Sequence, residues 1–263
     1  MIDRWKGKWA LVTGASAGIG KALAVELACG GANLVLTARR RDRLEALAKE
    51  LSATYGVKTQ TVTADLTEAN APQAIFQFTE DQGLQIDLLV NNAGFGQYGE
   101  IHKVEVQRLL EMVQVNCSAV LHLTRLYLPQ MVERRGGDVL IVASTASFQA
   151  VPYISTYAAT KVFDLYLAEG LAEEMKPYGV RVCALCPGTT ASEFHELAGH
   201  PGHAKGREQS AEIVAKNGLK ALPAGKSYVI SGLGNYPGAH SQRLVPRRLV
   251  TRVAAKMFQP KGR

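Results

Sequence analysis

The feature that most limits what this chain can fold into is a regular alternation of two kinds of segment. Short apolar, β-branched runs stand at 8–14 (KWALVTG), 33–38 (NLVLTA), 58–64 (KTQTVTA), 86–92 (IDLLVNN), 137–144 (GDVLIVAS), 180–186 (VRVCALC) and 227–232 (SYVISG). Helix-like stretches lie between them, at about 19–29, 43–54, 68–81, 104–134, 155–177 and 208–221. Parallel strands need a crossover of helical length between them, and strands buried on both faces read as nearly continuous apolar runs. The alternation therefore predicts an α/β fold: a doubly wound parallel sheet of about seven strands with helices on both faces. At 263 residues, 47% of them hydrophobic, the chain can cover such a sheet as one domain. No linker or internal repeat interrupts it, so residues 1–263 read as a single domain. The stretches 104–134 and 155–177 are longer than one sheet face needs, which points to a homodimer or homotetramer joined through them.

Composition removes several function classes. No run of about 18 apolar residues is present, so no spanning helix is expected. The N-terminus enters a core strand within ten residues, which leaves no room for a signal peptide. Cys183 and Cys186 form a C-x-x-C, but on a strand residues three apart point to opposite faces. They read as core cysteines rather than a redox pair or half a zinc site, with Cys29 and Cys117 also free, as a reducing cytoplasm allows. The net charge of +7 would suit nucleic acid, yet seven cations and no acid lie from Arg243 to Arg263. The first 242 residues carry 23 cations and 23 anions, so the fold itself offers no nucleic-acid face.

The first strand runs into TGASAGIG and then a helix, with Gly14, Gly18 and Gly20 in the turn. This placement suits a dinucleotide: one glycine for the tight turn, one for close backbone approach to a pyrophosphate, one for helix–strand packing. Amides and dipole at the helix start would hold the phosphates, with Ser16 and Ile19 in the same turn. The second strand ends at Ala38, where an acid would meet a free ribose 2′-hydroxyl, and Arg39, Arg40 and Arg41 follow. A guanidinium suits a 2′-phosphate through paired hydrogen bonds, so Arg39 and Arg40 point to NADP(H) over NAD(H). Asp42 is expected to cap the second helix, with Glu45 as its capping-box partner.

STYAATKVF (155–163) pairs Tyr157 with Lys161, one helical turn apart, and Tyr157 alone of the nine tyrosines has a lysine at that spacing. From here the chain resembles the short-chain dehydrogenases/reductases, over about residues 8 to 235. TGASAGIG, ADLT (64–67), NNAG (91–94), Asn116 in VQVNCSAV, Ser144 thirteen residues before Tyr157, YAATK and CPGTTASEF stand in that family's order. The resemblance implies a Rossmann-type sheet and a set of roles. Asp65 and Leu66 would meet adenine, and Asn92, Ala93 and Gly94 would line the cofactor. Pro187, Gly188 and Thr190 would meet the carboxamide of the nicotinamide. Asn116 would hold a water that links Lys161 to bulk proton supply.

The chemistry follows from the residue types. Reducing a carbonyl needs a hydride at carbon and a proton at oxygen. A phenol near pKa 10 holds its proton too tightly at neutral pH, and a neighbouring ammonium favours the phenolate. Tyr157 is therefore the expected general acid or base, Lys161 its tuner and ribose clamp, and Ser144 a hydrogen-bond donor to the substrate oxygen. The function read here is an NADP(H)-dependent oxidoreductase on a carbonyl or secondary alcohol. Phe95, Phe148, Val151 and Tyr153 suggest an apolar substrate, and a 3-oxoacyl thioester is the alternative within the family. A non-catalytic NADP(H)-binding regulator would ordinarily have lost the tyrosine or lysine. A nucleotide-sugar epimerase would have a longer chain and another glycine spacing.

HELAGH (195–200) is one residue too long for a zinc helix, and PAGKS (223–227) lacks the first glycine of a phosphate loop, so no metal is expected. Residues 189–226 read as a substrate loop, mobile at Gly199, Gly202 and Gly206. The tail from 243 to 258 reads as a basic amphipathic helix, suited to its own fold, a subunit contact or a membrane surface. The expected location is cytoplasmic, peripheral on a membrane if the tail binds one.

Overall fold

The computed structural model describes residues 2–199, 208–242 and 244–260, without the side chains of residues 195 and 196. Its centre is a seven-stranded parallel sheet: β1 (Trp9–Thr13), β2 (Asn33–Ala38), β3 (Thr59–Thr63), β4 (Ile86–Asn91), β5 (Gly137–Val142), β6 (Val180–Cys186) and β7 (Tyr228–Ile230). The spatial order is β3-β2-β1-β4-β5-β6-β7. The chain winds outward from β1 in one direction, then restarts beside β1 at β4 and winds the other way. Loops leaving the C-terminal ends of β1 and β4 must diverge there, which opens a crevice at that switch point.

Each face of the sheet buries its own core. One holds Val12, Leu34, Leu88, Leu140 and Leu185 beneath α1 (Gly18–Cys29), α2 (Arg41–Tyr55) and a later helix at Ala211–Ala221. The other holds Leu11, Val35, Leu89, Ile141 and Ala184 beneath α3 (Ala71–Asp81) and two long helices. Cys183 lies in the first core and Cys186 in the second, so their sulfurs face opposite sides of β6. Both thiols are buried.

Three boundaries differ from the sequence expectation, each for a local reason. The second helix begins at Arg41 with Arg40 at the cap position and no side-chain cap. Asp42 already lies in its first turn, and Glu45 pairs with Arg41 at 2.6 Å, so no capping box forms. The stretch expected at 104–134 is α4 (Val106–Val113), a π-helical turn at Gln114–Ser118 and α5 (Ala119–Glu133). Such a turn opens one extra residue into the helical ladder, and Asn116 sits within it, fully buried. After α6 (Ser155–Glu174) and the short α7 (Phe194–Leu197), α8 (Ala211–Ala221) is the packed helix expected at about 208–221. It seats Val214, Ala215, Gly218 and Leu219 in the core. Gly202 and Gly206 lie outside the described residues. Following α9 (Tyr236–Ser241), the tail helix α10 spans Arg247–Phe258, shorter than expected because Pro246 stands at its cap and disfavours helix before it. No helix among the described residues is long and apolar enough to cross a membrane.

The N-terminal edge of the sheet is tied by a buried carboxylate. Asp138, at the start of β5, accepts from the Trp5 indole at 2.8 Å, from Arg181 at 2.7 Å and from Arg4 at 3.3 Å. Trp5 is only 1% exposed, so the segment before β1 is held by both burial and this acceptor. Asp138→Ala would strand the indole N–H and two guanidinium groups, at a cost of about 2 kcal/mol. We expect a fall in Tm of about 4–8 °C by calorimetry, with dinucleotide binding retained in the folded protein.

Candidate active site

The crevice above β1 and β4 is built from glycine and two polar side chains. Gly14 and Gly18 have φ of +66° and +53°, a left-handed conformation that disfavours other residues. Gly20 serves a different purpose: a Cβ there would stand 2.3 Å from the Gly14 carbonyl oxygen and 2.4 Å from Asn92 Nδ2. Thr13 Oγ1 accepts from the amides of Asn92 and Ala93, each at 2.9 Å, and Asn92 Nδ2 donates to the Thr13 carbonyl at 2.8 Å. The Asn92 side chain therefore binds the ends of β1 and β4 together. A Cβ on Gly94 would meet Asn116 Oδ1 at 3.1 Å and Lys161 Nζ at 3.4 Å. The resulting cradle has backbone on its floor, which fits the close approach of a dinucleotide.

At the outer end of the cradle Arg40 donates to Ser16 Oγ from Nε at 3.3 Å and from Nη2 at 3.1 Å. Arg40 and Arg43 also hold the two oxygens of Glu193, both at 2.7 Å, which pins the segment after β6 across the groove. These arginines lower the Glu193 carboxyl below the ordinary range by donating to it. Arg39 is 63% exposed and lies 3.9 Å from Asp65, while Asp65 Oδ1 accepts from the Thr67 amide at 3.0 Å. Leu66 is buried beside them. Arg39, Arg40 and Ser16 thus present donors at the mouth, where a ribose phosphate would need them.

The chemical centre joins four of the expected residues. Tyr157 and Lys161 share a face of α6, with Lys161 Nζ 5.9 Å from the Tyr157 ring centroid. Ser144 stands near enough to Tyr157 to favour its phenolate, and its Oγ accepts from the Ala146 amide at 3.1 Å, which fixes the hydroxyl at the head of a 3₁₀ turn. Asn116 Oδ1 accepts from the Phe95 amide at 3.1 Å, and Nδ2 donates to the Phe95 carbonyl and to Thr160 Oγ1, each at 3.0 Å. Asn116 thereby clamps the strand end carrying Gly94 onto α6. Lys161 is 4% exposed, and it donates to the Val142 carbonyl and to Asp164 Oδ2, each at 2.8 Å.

The electrostatics depart from the simple expectation that Lys161 draws the phenol down. Burial raises the Tyr157 pKa, Lys161 and Ser144 lower it, and Asp164 raises it again, so the balance lies above the ordinary value. Burial lowers the Lys161 pKa, while Asp164 and Tyr157 raise it, and the balance keeps it a cation. Burial raises the Asp164 carboxyl to about 6, against the pull of Lys161.

Pro187, Gly188 and Thr190 close the far side. The Pro187 carbonyl accepts from the Thr145 amide at 2.8 Å, and Thr190 Oγ1 donates to the Gly188 carbonyl at 3.0 Å. A Cβ on Gly188 would stand 2.4 Å from Asn235 Nδ2. A Cβ on Gly18 would meet Ser192 Cβ at 3.2 Å, so this segment lies directly over the glycine turn. Ile19 packs its side chain against the first core rather than into the cradle. Among the described residues no group of acids, histidines and cysteines could hold a metal, and His200 and His203 lie outside those residues.

Three residues with a part in this site lie outside those the sequence pointed to. Phe194 places its ring 5.2 Å from that of Tyr157, Glu193 bridges two arginines 150 and 153 positions away, and Asp164 pairs with Lys161. The first two needed tertiary packing to be seen. Asp164, three residues after Lys161 on an otherwise apolar helix face, was visible as an acid within reach of the lysine.

A parallel sheet with a glycine cradle at its switch point, beside a tyrosine, a lysine, a serine and an asparagine, defines a dinucleotide-dependent oxidoreductase class. The family described as short chain dehydrogenase matches residues 8–200, and the chain belongs to it. A very-long-chain 3-oxoacyl-CoA reductase of Bos taurus is 36% identical over 200 residues, 74% of this chain and 64% of the relative. One of Phaeosphaeria nodorum is 35% identical over 67% of this chain and 53% of the relative. The chain thus spans about half to two thirds of the length of these curated relatives. Among solved structures, a short-chain dehydrogenase from Sphingobium yanoikuyae in complex with NADPH has a TM-score of 0.82 at 28% identity, covering 97% of this chain and 96% of that one. A 7beta-hydroxysteroid dehydrogenase has a TM-score of 0.87 at 29% identity, covering 97% and 99%.

Gly20→Ala tests the cradle. The added methyl must displace the Gly14 carbonyl or the Asn92 amide, both held by the β1–β4 junction. We expect a loss of dinucleotide binding by tryptophan fluorescence and a Tm lowered by several degrees, an overpacking cost of about 1–3 kcal/mol. Unchanged affinity would show that the cradle yields freely.

Proposed function

We propose that this protein is an NADP(H)-dependent oxidoreductase that interconverts a carbonyl and a secondary alcohol. The single observation that carries the reading is the convergence of Ser144, Tyr157 and Lys161 beside a glycine cradle whose mouth is lined by arginine. Arg39 is the proposed 2′-phosphate residue, supported by Ser16 and Arg40. When bound, NADPH supplies the hydride that adds to the carbonyl carbon. Ser144 donates a hydrogen bond to the carbonyl oxygen and polarises it, as an oxyanion donor does. Tyr157 gives its proton to that oxygen, which completes the alcohol. Lys161 stabilises the phenolate left behind, and Asn116 holds the strand and helix in register for the proton's return.

The proposed substrate is apolar. Phe194 packs its ring 5.2 Å from that of Tyr157, and a cleft of about 270 Å³ lined by Ile101, Leu109 and Tyr153 opens beside the N-terminus of α6, whereas Phe148 and Val151 are buried. A 3-oxoacyl thioester is the second reading, favoured by the names of the relatives of Bos taurus and Phaeosphaeria nodorum. Exposed Val106, Leu110, Val113, Leu121 and Tyr166 on α4, α5 and α6 support a homo-oligomer. Four free cysteines support a reducing compartment.

Steady-state oxidation of NADPH and NADH with aldehydes, steroids and acyl thioesters tests the reading. We expect a preference for NADPH that Arg39→Ala reduces about tenfold or more. Tyr157→Phe should lower kcat by about 10²–10⁴-fold while NADPH still binds. Equal use of both cofactors, or a Tyr157→Phe protein of near wild-type rate, defeats it.

The tail supports a peripheral membrane site. Ala254 is buried, and the Tyr98 hydroxyl donates to the Phe258 carbonyl at 2.6 Å, so one side of α10 is fastened to the body. Leu249, Val253 and Met257 are exposed by 51%, 51% and 75%, and helical spacing sets Arg248, Arg252 and Lys256 alongside them. An apolar stripe flanked by cations suits anionic lipid. The full-length protein should co-sediment with anionic but not zwitterionic vesicles at low salt, and Val253→Asp should weaken this. Equal recovery with both vesicle types would refute it.

A further inference from the structure

Lys161 does not spend its charge on Tyr157 alone. Two of its three ammonium protons are committed inward, to the Val142 carbonyl and Asp164 Oδ2, each at 2.8 Å. Asp164 has no exposed surface, and its Oδ1 has no hydrogen-bond partner among the described residues. An isolated buried carboxylate is costly, and a buried pair is weak ground for stability, because apolar side chains of like volume fill such a place as well or better. The neighbours underline the point. Apart from Lys161 and Thr160, the helix carrying Asp164 buries only alanine and leucine, Ala158, Leu165, Ala168 and Ala172. An acid held there therefore asks for a role other than packing.

We propose that Asp164 is a positioning residue that anchors the Lys161 ammonium and offsets its charge, so that Tyr157 keeps its proton until a substrate oxygen takes it. The proposal rests on the reading of Tyr157 as proton donor and deepens it. The geometry gives the acid its effect: Lys161 Nζ sits 2.8 Å from Asp164 but 5.9 Å from the Tyr157 ring centroid. Coulomb energies add, so the Asp164 carboxylate, held against the ammonium, opposes the phenolate that Lys161 favours. One ammonium proton is left for the cradle side, where Gly94 leaves room. The titratable groups that face Asp164 are Lys161 and Tyr157 from its own helix and Cys117 from the π-helical turn, with Cys186 of β6 beside Lys161. Both cysteines are raised by burial and stay neutral, so Lys161 and Asp164 are the charges that act on Tyr157.

The sign of the effect is opposite to that of a bystander. Removing the carboxylate leaves the ammonium uncompensated, which favours the phenolate and moves Tyr157 down in pH. Ultraviolet tyrosinate titration of the ligand-free protein, with Tyr157→Phe as the blank, reads that ionisation without any turnover. We expect the Tyr157 midpoint to lie above about 10 in the wild-type protein. In Asp164→Asn it should fall by about one pH unit. The pH profile of kcat/KM for alcohol oxidation should shift the same way. Asp164→Ser gives the same reading should the amide be poorly accommodated. A wild-type midpoint at or below about 10, or a variant whose titration superimposes on that of the wild type, overturns the proposal. Because the titration needs neither cofactor nor substrate, its result stands apart from any failure to find the carbonyl substrate.

Discussion

A cation buried at the C-terminal edge of the sheet organises the side of the crevice that carries Tyr157. Lys161 is almost without solvent, and a buried ammonium persists only if acceptors replace its water. Those acceptors come from two elements, the end of β5 through Val142 and the next turn of α6 through Asp164. Ser147 then donates to the Lys161 carbonyl at 2.6 Å, and Thr160 ties the adjacent turn to Asn116. Satisfying one charge thus draws together β5, the 3₁₀ turn after it, the π-helical turn and α6, and Tyr157 is placed as a result.

The glycine side of the crevice depends on a different constraint, the absence of side-chain atoms. The Gly14 carbonyl and Asn92 occupy the space a Cβ on Gly20 would need, so α1 approaches β1 more closely than any other residue allows. Thr13 and Asn92 use their polar atoms on backbone rather than on a ligand, which leaves the cradle floor to amides. The two sides meet across the segment after β6. There Glu193 holds the arginines of the cofactor mouth, and the next residue, Phe194, packs on Tyr157. Exposed ion pairs of this kind are individually weak.

Much of this was legible in the sequence. All seven strands fall within the β-branched runs; the inner strands are continuous apolar segments because both their faces are buried, while the edge strand β3 (TQTVT) buries no residue fully. The glycine turn, the Tyr157–Lys161 pair and Ser144 announced themselves through spacing, since a turn and a helix face are local geometries. The errors are also local in origin. Asp42 had the right residue type for a cap, but the helix started one residue before it, and Glu45 found Arg41 instead. The π-helical turn at Asn116 has no periodicity of its own and hid inside a long helical pattern.

The sequence by itself thus determined the order of strands and helices, the cradle and the reacting pair, all of which depend on residues within a few positions of one another. Only the tertiary structure decided which charges face each other. That Arg40 and Arg43 would hold Glu193, that Asp138 would gather Trp5, Arg4 and Arg181, and that Asn92 would serve backbone are outcomes of distant segments meeting. Asp164 belongs to both accounts. Its distance from Lys161 along the helix was readable, but its effect on Tyr157 comes from burial, because a carboxylate in water would have been screened and one in the core is not.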